Sequence, residues 1–299
     1  MLNPSLSPNA QTSSDWWFKL KQFWIMSKPR LSGLVIFSAA FGYALGATTA
    51  IDWLKMSVFC LGSFMITAAA NSINQIIEKD LDKLMTRTQG RPLPMSFLEV
   101  QEAVIFILLM SILGSALVYW ASNLTAMLLG LFSLFLYGFV YTPLKQKNAI
   151  AVFVGAFPGA FPPLIGWVAA TESFSLEIWI IFGIQFIWQF PHFWAIAWVG
   201  DEDYRKAGFR LLPGGEKTTL AAIQIAIYTL LLIPTSFLPW RYGLCSVTSV
   251  FILAVSSVLF LIPAIWLIKD GSRKAALTLM FASFIYLPVV QITIFFTEL

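Results

Sequence analysis

The chain has 299 residues, 58% of them hydrophobic and only 11% charged, with a mean hydropathy of +0.77. That balance excludes an ordinary soluble globule and a disordered tail, and it points to an integral membrane protein. The formal charge of +4 follows membrane topology and is not a nucleic-acid footprint, so no nucleic acid is expected as a partner.

The first 15 residues are polar and show neither the apolar core and cleavage site of a signal peptide nor an Arg-rich amphipathic presequence. A bacterial plasma membrane is the simplest location. Charge-free runs follow at Leu31–Ile51, Met56–Ile77, Ala103–Leu144, Asn148–Thr171, Ile178–Gly200, Thr218–Trp240, Tyr242–Ile268 and Ala275–Thr297. A bilayer core takes roughly 20 apolar residues per helix. Seven runs therefore hold one span each, and the run from Ala103 holds two, turning at Ser122-Asn123. The expectation is an all-α, polytopic protein of nine transmembrane helices, with residues 1–27 as a cytoplasmic N-terminal segment and 28–299 as one membrane domain.

Every cation except Lys55 and Arg241 falls before the first span or after the second, fourth, sixth and eighth. Cytoplasmic loops carry the Lys/Arg excess, so the N-terminus reads as cytoplasmic and the C-terminus as outside. Cys60 and Cys245 both fall within predicted spans, without a second Cys nearby, and read as small packing residues.

Two long cytoplasmic loops, near 74–99 and 201–217, open with clustered acids, and long loops in compact proteins are more often functional than idle. If the second span continues through the first cluster, Asn74, Glu78 and Asp82 fall at i, i+4 and i+8 on one helical face. Carboxylates one turn apart repel, and a divalent cation reconciles them. Oxygen donors without His or Cys favour Mg²⁺. A solvated helix end neutralised by Lys79 and Lys83 fits the same pattern. The second cluster, Asp201-Glu202-Asp203, lies on the same membrane face and is followed by Arg205 and Lys206. Two such clusters suit a diphosphate held through metal ions, with Arg87, Arg91, Lys145, Lys147, Arg205 and Lys206 as candidate covering cations.

Between these loops the sixth span is aromatic from Phe186 to Trp198, and it holds the chain's one histidine, His192. Aromatic walls make a dry pocket whose ring faces stabilise a carbocation, though rings are also common packing material. An ionisable residue within a membrane helix is a functional-site hypothesis by default. Pro158, Pro162, Pro163, Pro191, Pro234, Pro263 and Pro288 suit kinked helices around a chamber, in an enzyme or in a transporter.

Several of these segments resemble the UbiA-type membrane prenyltransferases. Asn74-x-x-x-Glu78-x-x-x-Asp82 with Arg87-Thr-x-x-Arg91-Pro-Leu is similar to that superfamily's first aspartate-rich motif, with Glu where Asp is commoner. Tyr141-Thr-Pro-Leu-Lys145, Gly159 to Trp167, Pro191-His192-Phe193-Trp194-Ala195 and Asp203-Tyr204-x-x-x-Gly208 resemble its heme-directed branch, the protoheme IX farnesyltransferases. The resemblance implies nine helices around a central, lipid-open cavity. It also implies transfer of farnesyl from farnesyl diphosphate to a vinyl group of heme B, giving heme O. Glu78, Asp82 and Asp203, with Asn74, would then hold Mg²⁺ on the diphosphate. Arg87, Arg91, Lys145, Arg205 and Lys206 would bind the leaving group, and His192 would contact heme as an axial ligand or through a propionate. A downstream heme A synthase or terminal oxidase would take the product. Many relatives space the second motif as Asp-x-x-x-Asp, whereas its acids are contiguous here, with Asp203 favoured as the ligand because it precedes Tyr204. The rival readings are a sister enzyme acting on an aromatic quinone precursor and a secondary transporter.

Overall fold

The computed structural model describes residues 16–47 and 50–297, and among these every regular element is helical. The polar residues 1–15 lie outside the described residues. The first two helices are α1 (Trp16–Met26) and α2 (Pro29–Gly46). Eight helices among the described residues are long and apolar enough to cross a membrane: α3 (Trp53–Ile77), α5 (Val100–Ala121), α6 (Leu124–Leu144), α7 (Ala151–Thr171), α8 (Leu176–Val199), α10 (Thr219–Arg241), α11 (Val247–Asp270) and α12 (Arg273–Phe296). Two short helices, α4 (Lys79–Asp82) and α9 (Asp201–Lys206), sit in the acidic loops.

The ninth expected span is α2. It forms where the charge gap places it, but it has only 18 residues, opens on Pro29-Arg30 and buries Ser32, Ser38, Gly42 and Gly46. Its small residues serve helix packing, while Leu34 and Phe37 remain exposed on the other face. A Cβ added at Gly42 would land on the Pro163 carbonyl of α7, and one at Gly166 of α7 would land on the Ala39 carbonyl of α2. The same device joins α3 to α5, where a Cβ at Gly62 would lie 2.7 Å from the Gly114 oxygen and one at Gly114 2.8 Å from the Gly62 oxygen. In lipid, where no hydrophobic force drives helices together, such small-residue seams supply close van der Waals packing.

Side-chain caps set the helix starts. Asp52 accepts from Lys55 N–H at 3.0 Å to open α3, and Thr218 accepts from Ala221 N–H at 3.1 Å to open α10. Asn123 accepts from Ala126 N–H at 2.8 Å and donates to Val168 O of α7 at 2.8 Å, which fixes the turn within the long apolar run where it was expected. Large apolar side chains such as Ile105, Leu108, Leu109, Ile112 and Leu113 on α5 are exposed. A continuous apolar surface of that kind belongs in lipid, and the protein is a multi-pass membrane protein. Cys60 lies in α3 as expected. Cys245 does not lie in a span: it is buried in the turn between α10 and α11, because α11 starts only at the Ser246 cap.

Helix α1 belongs to the expected N-terminal segment. It docks through Phe18 on Phe97 and Phe23 on Phe106, at ring separations of 5.3 and 5.0 Å, and through an ion pair of Lys19 with Glu102.

Candidate active site

Both acidic loops meet at one end of the bundle. Helix α3 formally stops at Ile77, but Glu78 N–H donates to Asn74 O at 3.0 Å and Asp82 N–H to Glu78 O at 2.7 Å. The helical register thus runs through the joint, and Asn74, Glu78 and Asp82 remain one turn apart. They are 3%, 2% and 0% exposed. This is no solvated helix end: Lys83 pairs with Asp80 at 2.8 Å, away from the row.

Each member of the row has its own cation. Lys145 Nζ lies 2.7 Å from Glu78 Oε1 and donates to Oε2 at 3.0 Å. Arg91 donates to Asp82 Oδ2 at 2.7 Å. Lys28 donates to Asn74 Oδ1 at 3.1 Å, and the Asn74 amide donates to Thr142 Oγ1 at 3.2 Å. Two buried carboxylates one turn apart would be prohibitive without such pairing. Asp82 Oδ1 is fully buried and accepts no hydrogen bond, and Glu78 Oε1 meets Lys145 without hydrogen-bond alignment. Leaving such an acceptor unmet costs about 1–3 kcal/mol. A hard cation with oxygen ligands would satisfy both atoms, so the donor set fits Mg²⁺.

Local backbone features deliver these groups. Residues Leu136–Tyr141 of α6 form a π-helical turn, a feature frequent at functional sites. Just after it Thr142 Oγ1 donates to Tyr137 O at 2.8 Å, five residues back, which seats the hydroxyl against Asn74, with Lys145 one turn on against Glu78. From the other loop, Gly208 takes φ +77°, a conformation glycine adopts without strain, and ends α9. The chain then turns inward, burying Phe209, whose ring centroid lies 4.6 Å from Lys145 Nζ. A cation–π contact holds the ammonium from below.

The second acid cluster closes over the first loop through Asp203. Its Oδ2 accepts from Arg87 N–H at 3.1 Å and its Oδ1 from Lys206 at 2.9 Å, while Lys206 also reaches Thr86 Oγ1 at 3.3 Å. The Lys206 ammonium, aided by backbone N–H groups of Arg87 and Thr86, holds the Asp203 carboxyl down at about 2. The Arg87 guanidinium lies 5.6 Å from the Tyr204 ring centroid. Asp201 instead pairs with Arg205 at 3.0 Å and Lys217 at 3.8 Å, so Arg205 faces its own helix. Among the described residues no three carboxylate, imidazole or thiol groups converge on one point. Asp203 is held on the first loop by Arg87 N–H and Lys206, while Glu78 and Asp82 have Lys145 and Arg91 as partners.

Deeper in the bundle, His192 stacks on Trp188 at 4.4 Å and meets Phe284 edge-on at 5.2 Å. Its Nδ1 lies 2.8 Å from Ser283 Oγ, and Ser283 Oγ also lies 2.6 Å from Met280 O. The Ser283 hydroxyl can turn its proton to either partner, so the contact holds Nδ1 with the ring in either tautomer. The aromatic stripe divides. Phe182 and Phe186 interleave with Phe157 of α7 at 6.5 and 4.9 Å, as packing, while Phe190 joins Trp194 and Tyr228 at 5.4 and 4.5 Å.

Comparison with known proteins bears on family and fold. The model of the UbiA prenyltransferase family matches residues 35–287. The chain belongs to the UbiA prenyltransferase family. It is 50% identical over 279 residues to the protoheme IX farnesyltransferase of Cytophaga hutchinsonii, covering 92% of this chain and 95% of that one. A solved structure of digeranylgeranylglyceryl phosphate synthase superposes with a TM-score of 0.78 at 20% identity, over 94% of this chain and 98% of that one. A UbiA homologue from Archaeoglobus fulgidus bound to DMAPP and Mg²⁺ gives 0.66 at 15% identity, over 91% and 99%.

In this UbiA prenyltransferase two residues at the site escape sequence reading. Thr142 was a spacer within the Tyr141 to Lys145 motif; its hydroxyl is the one that holds the Asn74 amide. Lys28 was one of several cations ahead of the first span; burial, reinforced by Arg91 and Lys145, pushes its ammonium down to about 7.

Proposed function

We propose that this chain transfers a farnesyl group from farnesyl diphosphate to a vinyl group of heme B, with addition of water, giving heme O and diphosphate. The observation that carries this reading is the buried Asn74, Glu78 and Asp82 row, each member matched to one cation, with Asp82 Oδ1 accepting no hydrogen bond. The 50% identity to a protoheme IX farnesyltransferase supports heme as acceptor.

Glu78 and Asp82, with Asn74, would hold Mg²⁺ from one side, and Asp203 from the other. Mg²⁺ bound there would draw charge from the diphosphate and ease its departure. Once the carboxylates serve that purpose, Lys145 and Arg91 are released from pairing and meet the phosphate oxygens, joined by Arg87 and by Lys206 at the loop seam. Preorganised cations of this kind stabilise the negative charge that develops as the C–O bond breaks. The allylic cation needs shelter from water, and Phe190, Trp194 and Tyr228 offer ring faces for it. The electron pair of the vinyl group then forms the new C–C bond. Water adds to the resulting porphyrin-stabilised cation and loses a proton. His192 would contact heme through its ring nitrogen, as a ligand to the iron or through a propionate.

Incubating purified protein with heme B, farnesyl diphosphate and Mg²⁺, with an EDTA control, should yield a porphyrin heavier by a farnesyl group plus hydroxyl, absent with chelator. No such product, with heme and Mg²⁺ retained, would redirect the reading to an aromatic quinone precursor. His192→Ala should weaken heme binding by about tenfold or more and remove the Soret shift on titration. Unchanged heme spectra would make His192 a packing residue.

The cation-rich end is proposed to face the cytoplasm of a bacterial plasma membrane, with the product passing to a heme A synthase or terminal oxidase. Exposed Ser173 and Gln89 lie in the connection after α7 and in the first acidic loop. Single cysteines there should label from opposite sides, Gln89 from the cytoplasm, and labelling from one side would overturn the topology.

A further inference from the structure

We propose that Lys28 binds the diphosphate, as the cation that the acid row leaves unneutralised; this rests on the reading of the pocket as a prenyl diphosphate site. The charges at the row do not balance. Lys145 is matched by Glu78 and Arg91 by Asp82, but Lys28 faces Asn74, whose side chain is neutral. The half-buried Lys28 amine lies beside two other cations and has no carboxylate paired with it, since Glu78 and Asp82 are paired elsewhere, which is a position that an incoming anion relieves.

The backbone around Lys28 is built to hold it there. Lys28 has φ 50° and ψ 62°, the left-handed region that L side chains rarely occupy, directly before Pro29. Three buried polar side chains secure this elbow between α1 and α2. Gln75 donates to Met26 O at 2.6 Å, and Asn71 donates to Ser27 O at 3.4 Å and to Ser32 Oγ at 3.2 Å. Ser32 Oγ donates in turn to Ser27 O at 2.8 Å. Asn71 and Gln75 lie on α3, in the turn that also carries Asn74. The element presenting the acid row thus also fixes the backbone that presents Lys28, and that backbone cannot shift from the row without breaking buried hydrogen bonds. A surface anchor for lipid phosphate would need neither the strained φ nor that buried frame, and the neighbouring Arg30, which is exposed, suits the anchoring role instead.

The test is the affinity of the full chain in detergent for farnesyl diphosphate with Mg²⁺ and without heme, where no turnover occurs, and for inorganic diphosphate. Lys28→Met should weaken both by about 10- to 100-fold, as expected for loss of a charge-assisted contact. Lys28→Arg should recover most of the affinity, and Arg30→Met should match wild type. Heme titration by Soret absorbance should be unchanged in all three, which separates a lost phosphate contact from a disturbed fold. Wild-type affinity in Lys28→Met would overturn the assignment of Lys28 alone. Wild-type protein that bound no farnesyl diphosphate would overturn the farnesyl-transfer reading and this assignment with it.

Discussion

Asp82→Asn is expected to lower turnover by about three orders of magnitude while leaving a folded protein that still binds heme. The substitution keeps the shape of the side chain and an oxygen near Arg91, so the 2.7 Å contact can persist as a hydrogen bond to a neutral acceptor. What it removes is charge at Oδ1, the buried oxygen that accepts no hydrogen bond. If that carboxylate were only structural, the amide would leave Arg91 without its counter-charge, so stability would fall while the folded protein kept its turnover. If it awaits a cation, the amide cannot replace it. The two accounts therefore differ in turnover: a structural role predicts a fall in stability with near wild-type turnover per folded molecule, and a metal-holding role predicts loss of turnover in protein that is still folded. Turnover by porphyrin mass spectrometry and Tm in detergent, read together, decide between them. Glu78→Gln should behave alike but more mildly, since Lys145 keeps Phe209 as a second support.

The parts of this site that were legible in the sequence are those that depend on local spacing. Asn74, Glu78 and Asp82 share a face because the helix repeat puts them there, and the joint at Glu78 preserves that repeat. The span boundaries follow from gaps between charges, and the turn at Asn123 from a residue that caps well. Partner choice is a tertiary property and does not show in spacing. Arg205 and Lys206 are adjacent, yet one turns to Asp201 and the other to Asp203 and Thr86, as the short α9 dictates. Lys28 looked like any juxtamembrane cation because its elbow is held by Asn71 and Gln75, residues more than forty positions away. The π-helical turn that places Thr142 has no composition signature. The α2 span was legible as an apolar run, but its weak hydropathy carried a second message, that its glycines and serines face a neighbour.

That message leads to a large structural effect. Gly166→Ala is expected to be among the most damaging single-methyl changes in the membrane domain, costing about 3 kcal/mol or more, the upper end for overpacking. The added Cβ would fall on the Ala39 carbonyl oxygen and 2.6 Å from the Tyr43 nitrogen, both backbone atoms of α2, and backbone cannot rotate away as a side chain would. Gly42 makes the reciprocal demand on Pro163, so α2 and α7 are clamped at two levels and cannot pivot to relieve one. The helices must separate, and the lower end of α2 is where Lys28 meets the acid row. Loss of diphosphate affinity should therefore accompany a fall in Tm of about 10 °C, at 2–4 °C per kcal/mol for a domain of this size class. Gly33→Ala in α2 and Gly183→Ala in α8 are the controls: nothing lies within 4 Å of either added Cβ. Both should leave Tm unchanged or slightly raised, since alanine is the better helix former. A Gly166→Ala protein as stable as these controls would show that the α2–α7 seam is not the tight contact that seats the site.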